Sequence, residues 1–145
     1  MAVYSANAVQ TVNPGESVIF TATNEPCRFG FIRHRDETGS FLLSGRTNCC
    51  RKQSVPYFVD FGANIAVATG GTVGPISLGI AVDGATVPAS EMIVTPAAVE
   101  EFFNVSREIM VDIWAGCCES VSIRNLSDQP ILVQNATVDI DRDRN

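Results

Sequence analysis

Apolar and polar residues alternate along most of this chain with a period of two. From Val55 the odd positions Val55, Tyr57, Val59, Phe61, Ala63, Ile65 and Val67 are all apolar, and Asp60, Gly62 and Asn64 lie between them. Successive side chains of a strand point to opposite faces, so this pattern predicts a long strand with one face buried. The cluster Gly70-Gly71-Thr72-Val73-Gly74-Pro75 predicts a turn. Beyond it Ile76, Leu78, Ile80 and Val82 face one way, while Ser77, Gly79, Ala81 and Asp83 face the other. Asp83-Gly84 then predicts a tight hairpin, because both residues tolerate the positive φ of a primed turn.

The same grammar recurs at regular spacing. After the Asn13-Pro14-Gly15-Glu16 turn, Ser17 to Thr23 carries Val18, Phe20 and Ala22 on one face. Cys27 to Arg35 sets Phe29, Phe31, Arg33 and Arg35 against Ile32 and His34, and a turn over 36–39 leads into Ser40 to Ser44. Ile109, Val111 and Ile113 alternate with Met110, Asp112 and Trp114 before Gly116, and Val121 and Ile123 follow. In the last stretch Ile131 and Val133 are odd but Val138 and Ile140 are even, so a bulge is expected near Gln134-Asn135-Ala136.

Thr95 to Phe103 has two readings. Thr95 as N-cap, Pro96 at the first helical position and Glu100-Glu101 behind them read as a helix start. Val99, Phe103 and Val105 are instead in phase for a strand or loop. Together the segments give about eight to ten short strands separated by turn signals, which predicts an all-β fold, a jelly-roll β-sandwich of antiparallel strands. The chain reads as a single domain over 1–145, its core spanning about 9–140, with a short N-terminal lead and a charged C-terminal tail.

Composition narrows the function. At 46% hydrophobic and 18% charged residues, the chain is not a disordered segment. A net charge of -6, with Lys52 the single lysine and the arginines scattered, argues against nucleic acid and against charge-driven membrane docking. No run approaches the ~20 apolar residues of a membrane-spanning helix. The start, Met1-Ala2-Val3-Tyr4-Ser5, lacks the charged and apolar regions of a secretory signal.

Candidate chemistry is sparse. The five cysteines, Cys27, Cys49, Cys50, Cys117 and Cys118, include two adjacent pairs and no Cys-x-x-Cys. They read as a thiol cluster or as one or two disulfides between the loops that carry them, rather than as a zinc site. His34, the only histidine, lies between Arg33 and Arg35 and reads as a surface or interface residue. The adjacent Glu100 and Glu101 point apart and do not form a shared acid/base pair. Asp139, Asp141 and Asp143 alternate with Ile140, Arg142 and Arg144 in a tail read as solvated rather than as a calcium site. Asn104, Asn125 and Asn135 begin glycosylation sequons, which carry little weight without a secretion signal. No catalytic residue, cofactor or metal is expected.

The segments Tyr57-Phe58-Val59 to Ile65, Ile76-Ser77-Leu78 to Asp83-Gly84, Val121-Ser122-Ile123-Arg124-Asn125 and Val133-Gln134-Asn135-Ala136 resemble the globular heads of the TNF-like jelly-roll superfamily. More narrowly they resemble heads of bacterial collagen-like spore-surface proteins and small phage head- or tail-fibre proteins. The resemblance implies a sandwich that trimerises about a threefold axis and has no catalysis. The Gly-x-y stalk of the spore-surface proteins is absent from this sequence, which favours a free-standing trimer or one attached through its ends. The implied function is a structural or adhesive homotrimer on a particle surface. A phage virion, assembled in the host cytoplasm, is the first setting, and a spore or cell surface the alternative. Partners would be further copies of the chain, capsid or tail proteins, and host glycans.

Tyr57, Phe58, Phe61, Phe102, Phe103 and Trp114 cannot all point inward under strict alternation, and exposed apolar patches mark interfaces. Phe58, Phe102 and Trp114 are therefore the candidate trimer-interface residues. Trp114 also leaves a carbohydrate-binding module open, by stacking on a sugar ring. A cupin-type metalloenzyme is disfavoured, because it would need several histidines around one metal.

Overall fold

A computed structural model describes residues 1–27, 30–35, 37–46, 53–116 and 118–143. Among them twelve strands follow in chain order: β1 (Ala2–Ala6), β2 (Gln10–Val12), β3 (Ala22–Glu25), β4 (Ile32–His34), β5 (Ser40–Leu43), β6 (Ser54–Val67), β7 (Ile76–Val82), β8 (Ala85–Thr86), β9 (Met92–Val94), β10 (Phe103–Trp114), β11 (Glu119–Asn125) and β12 (Ile131–Arg142). One sheet has the order β10-β6-β12-β1-β3, with β2 also on β12; the other has β4-β5-β11-β7-β8, with β9 also on β7. All these pairings are antiparallel. This is the expected all-β jelly-roll sandwich. The strands beyond the about eight to ten expected are stretches such as β2, β8 and β9, too short to show a period.

Strand β6 spans the first sheet. All seven of its odd positions from Val55 to Val67 are buried, with Tyr57, Val59, Phe61, Ile65 and Val67 fully so. Burying one large apolar side chain is worth about 1.5–3 kcal/mol, whereas the whole β-propensity scale spans ~1 kcal/mol, so burial fixes the facing of this strand. From the second sheet Phe41, Leu43, Leu78, Ile80, Val121 and Ile123 pack into the same core. Phe20 lies between the sheets, its ring centroid 5.3 Å from that of Phe41 and 6.4 Å from that of Phe61.

The hairpin and the bulge form where the sequence places them. Val82 pairs with Ala85 around Asp83 (φ 49°) and Gly84 (φ 84°), the two positive values of a type I′ turn. In β12 the register against β6 slips between Gln134 and Thr137, and Asn135 adopts φ 52°. One extra residue on β12 moves the inward set from Ile131 and Val133 to Ala136, Val138 and Ile140, all fully buried.

Two expectations are corrected, and of the two readings of Thr95 to Phe103 the strand or loop holds. Ser17 to Thr23 is not one strand. Val18 N–H donates to the Ile123 carbonyl of the second sheet, while Thr21 N–H donates to Ser5 of the first, at 2.8 and 3.1 Å. The segment crosses between sheets, so Val18 and Phe20 are buried but Ala22 is exposed. Residues 95–102 contain no helix: Glu100 has φ 62°, which a right-handed helix excludes, and its N–H donates to the Val67 carbonyl at 3.0 Å. His34 is only partly a surface residue. Its half-buried ring stacks on Phe41 at 4.4 Å, with Tyr4 at 4.9 Å.

Candidate functional site

Because the odd positions of β6 and Val105, Ile109, Val111 and Ile113 of β10 turn inward, the even positions of both strands form the outer face of the first sheet. Across the strand pair Phe58 opposes Met110, Pro56 opposes Asp112, and Ser54 opposes Trp114. Phe58 is 37% exposed, Met110 58% and Trp114 65%, so the apolar area is open to solvent. Strand β10 is the edge of the sheet, which sets this strip along a rim rather than in a cleft.

Beside the strip runs an acidic row. Glu108 pairs with Asp60, and Asp60 with Asp139, across β10, β6 and β12. Asp141 pairs with Phe58 in the next row, and the N-terminal ammonium of Met1 lies 3.4 Å from its carboxylate. Like charges directly opposite on neighbouring strands repel. Burial pushes the Asp139 carboxyl above its usual range, Asp60 and Asp141 push it further, and the N-terminus opposes them. Asp139 Oδ1 is shielded from solvent and has no hydrogen-bond partner.

The structure brings Phe58 and Trp114 onto one face and leaves Phe102 elsewhere. Phe102 is half-buried just before β10, at the opposite end of that strand from Trp114. Met110 and the acidic row escaped the sequence reading. Alternation gave the outward direction of each residue, but their adjacency depends on the register between strands far apart in the chain.

Of the cysteines, Cys27 keeps its thiol, half-buried against the core, and Cys118 is disulfide-bonded. Cys49, Cys50 and Cys117 lie outside the described residues. Among the described residues no three His, Cys, Asp or Glu side chains are grouped to hold a metal ion. His34 Nδ1 lies 3.1 Å from the Ser40 carbonyl and Nε2 3.2 Å from that of Phe20, so neither nitrogen faces a nucleophile. The Glu100 carboxylate accepts from the Thr69 hydroxyl. Of the sequon asparagines, Asn104 and Asn135 are exposed, but Asn125 is 1% exposed and donates to the Val12 and Gln129 carbonyls. What the face offers is apolar area edged by carboxylates, a surface for recognition.

No family model and no curated protein matches the sequence. Solved structures do. The chain is similar to the globular domain of the zebrafish complement 1qA protein, with a TM-score of 0.61 and 12% identity over 95% of this chain and 94% of that one. It is similar also to the Eiger TNF of S. frugiperda, with a TM-score of 0.64 and 9% identity over 96% and 88%. At such identities the likeness establishes the fold, a TNF-like jelly roll. A CBM35 from Cellvibrio japonicus overlaps only at a TM-score of 0.42, with 9% identity over 96% of each chain, and bears on nothing further.

Proposed function

We propose that this chain is a non-enzymatic structural or adhesive homotrimer displayed on a particle surface, in the first instance as a phage virion decoration or fibre head. The observation that carries the reading is the outward strip of Phe58, Met110 and Trp114 on a TNF-like sandwich. Aromatic residues and methionine are enriched at protein interfaces, and an exposed apolar patch is relieved of water when identical copies cover it. Phe58 and Trp114 are the central contacts in this proposal, joined by Met110. Phe102, at the far end of β10, would belong to a separate part of the interface. The absence of catalysis is supported by the engagement of His34 with backbone carbonyls. The particle setting rests on the resemblance to phage fibre heads, with capsid or tail proteins as the anchoring partners. A spore or cell-surface head is the alternative, and adjacent capsid or portal genes decide between them.

The direct test is the double variant Phe58→Ser/Trp114→Ser, examined by sedimentation. Both side chains are outward, so the fold survives their replacement; the expected result is dissociation to monomers. A double variant that sediments as an unchanged trimer overturns the assignment of the interface. A second reading, a glycan-binding head, is favoured by Trp114, whose 65% exposure leaves an indole face open to a sugar ring. On a glycan array Trp114→Ala then loses binding while keeping its mass in solution; an array without signal for the unaltered protein removes this reading.

A further inference from the structure

The geometry points to an anion-binding pocket at the second sheet, built to take a sulfate, phosphate or carboxylate group. A cavity of ≈ 100 Å³ is lined by Gly30, Phe31, Arg33, Leu42, Ser44, Arg46 and Cys118. Arg33 and Leu42 are cross-strand partners on β4 and β5, and both are exposed. They face outward from the second sheet. Two arginines therefore line one small cavity. A third, Arg142, lies over the Phe31 ring with its guanidinium carbon 3.9 Å from the centroid. Arg142 donates to the Arg46 carbonyl and, at 3.4 Å, to the Tyr57 hydroxyl.

The charges are unbalanced. Among the described residues the one ion pair joins Met1 and Asp141, so no carboxylate pairs with Arg33, Arg46 or Arg142. Across the sheet from Leu42, Ser120 holds Asp83 Oδ1 through its amide and hydroxyl at 2.8 and 3.2 Å, which commits that oxygen to β11. In a protein of net charge -6, two arginines that line one cavity and a third packed on the Phe31 ring, with no ion pair to any of them among the described residues, are a local inversion of the overall field. Guanidinium groups match oxyanions in geometry and give charge-assisted hydrogen bonds stronger than neutral ones. The volume is several times the ~10–15 Å³ that holds one water, enough for one oxyanion. Any larger body attached to it, such as the ring of an acidic sugar, would stay outside against Phe31 and Leu42.

Thermal shift and calorimetric titration of the intact protein test this, with sodium sulfate, sodium phosphate and sodium glucuronate as probes and sodium chloride at matched ionic strength as reference. The expected result is saturable stabilisation by the oxyanions beyond that of chloride. It should weaken about tenfold or more in Arg33→Gln and again in Arg46→Gln, as for the loss of a charge-assisted hydrogen bond. Glucuronate binding more tightly than sulfate and phosphate identifies an acidic saccharide as the source; equal binding identifies the free ion. Stabilisation no greater than that of chloride, or undiminished in the double variant, overturns the pocket. Circular dichroism of the variants separates a lost site from a lost fold.

Discussion

At Gly45 the backbone beyond β5 meets the backbone at the end of β10, and Gly45→Ala puts that closure to the test. Gly45 follows β5 in the second sheet, and its N–H donates to the Gly116 carbonyl beyond β10 in the first, at 3.0 Å. Gly116 N–H returns the bond at 3.4 Å. A Cβ on residue 45 would stand 1.8 Å from the Trp114 carbonyl oxygen and 2.8 Å from its carbon, and real Cβ contacts are essentially never under 3.0 Å. The obstacle is backbone, so no rotamer change relieves it. The chains must part by about 1.2 Å, which breaks both hydrogen bonds. Two such bonds at about 1 kcal/mol each, with about 1–3 kcal/mol for overpacking, give a loss of roughly 3–5 kcal/mol. Domains are stable by only about 5–15 kcal/mol, so the variant is expected to melt at least ~10 °C below the parent by calorimetry. A midpoint within ~2 °C of the parent, on a scale where 1 kcal/mol moves it by several degrees, would refute the close approach.

Asp139 has a folded pKa above its ordinary 3.8, so the folded state binds more protons than the unfolded one just above that value. Stability therefore falls as pH rises from the ordinary value through the folded one, and Asp139→Asn should raise the midpoint at pH 7 but not at pH 3. Equal midpoints for the variant and parent at both pH values would contradict the repulsion within the acidic row. At the bulge, Asn135→Gly should be neutral or slightly stabilising because the residue sits at φ 52°. Asn135→Val, which resists that region, should cost about 1–3 kcal/mol in urea unfolding; a Val variant as stable as Gly would argue against the bulge.

How far the sequence reads depends on how far each rule reaches along the chain. Period two is local, so β6, β7 and the inward set of β10 were legible from the residues themselves. The phase change between Val133 and Val138 exposed the bulge for the same reason. Ser17 to Thr23 misled because Val18 and Phe20 are apolar in phase whether the segment stays in one sheet or crosses to the other. The helix signals at Thr95 and Pro96 are local as well, and lost to the contacts of Glu100 with Val67 and Thr69. The outward direction of Phe58 and Trp114 was legible; their neighbours Met110, Asp60 and Asp139 were not, because cross-strand register joins residues far apart in the chain, such as Asp60 and Asp139, 79 apart. Arg33, Arg46 and Arg142 gave no motif, since separate segments bring Arg33 and Arg46 to one cavity and Arg142 onto the Phe31 ring that lines it.

Self-association through the exposed strip of β6 and β10 is the claim on which the functional reading stands. Light scattering after size-exclusion chromatography at micromolar concentration measures it most directly. With a chain of 15.5 kDa, the account predicts a single species of about 46 kDa. A species of 15.5 kDa under the same conditions contradicts it.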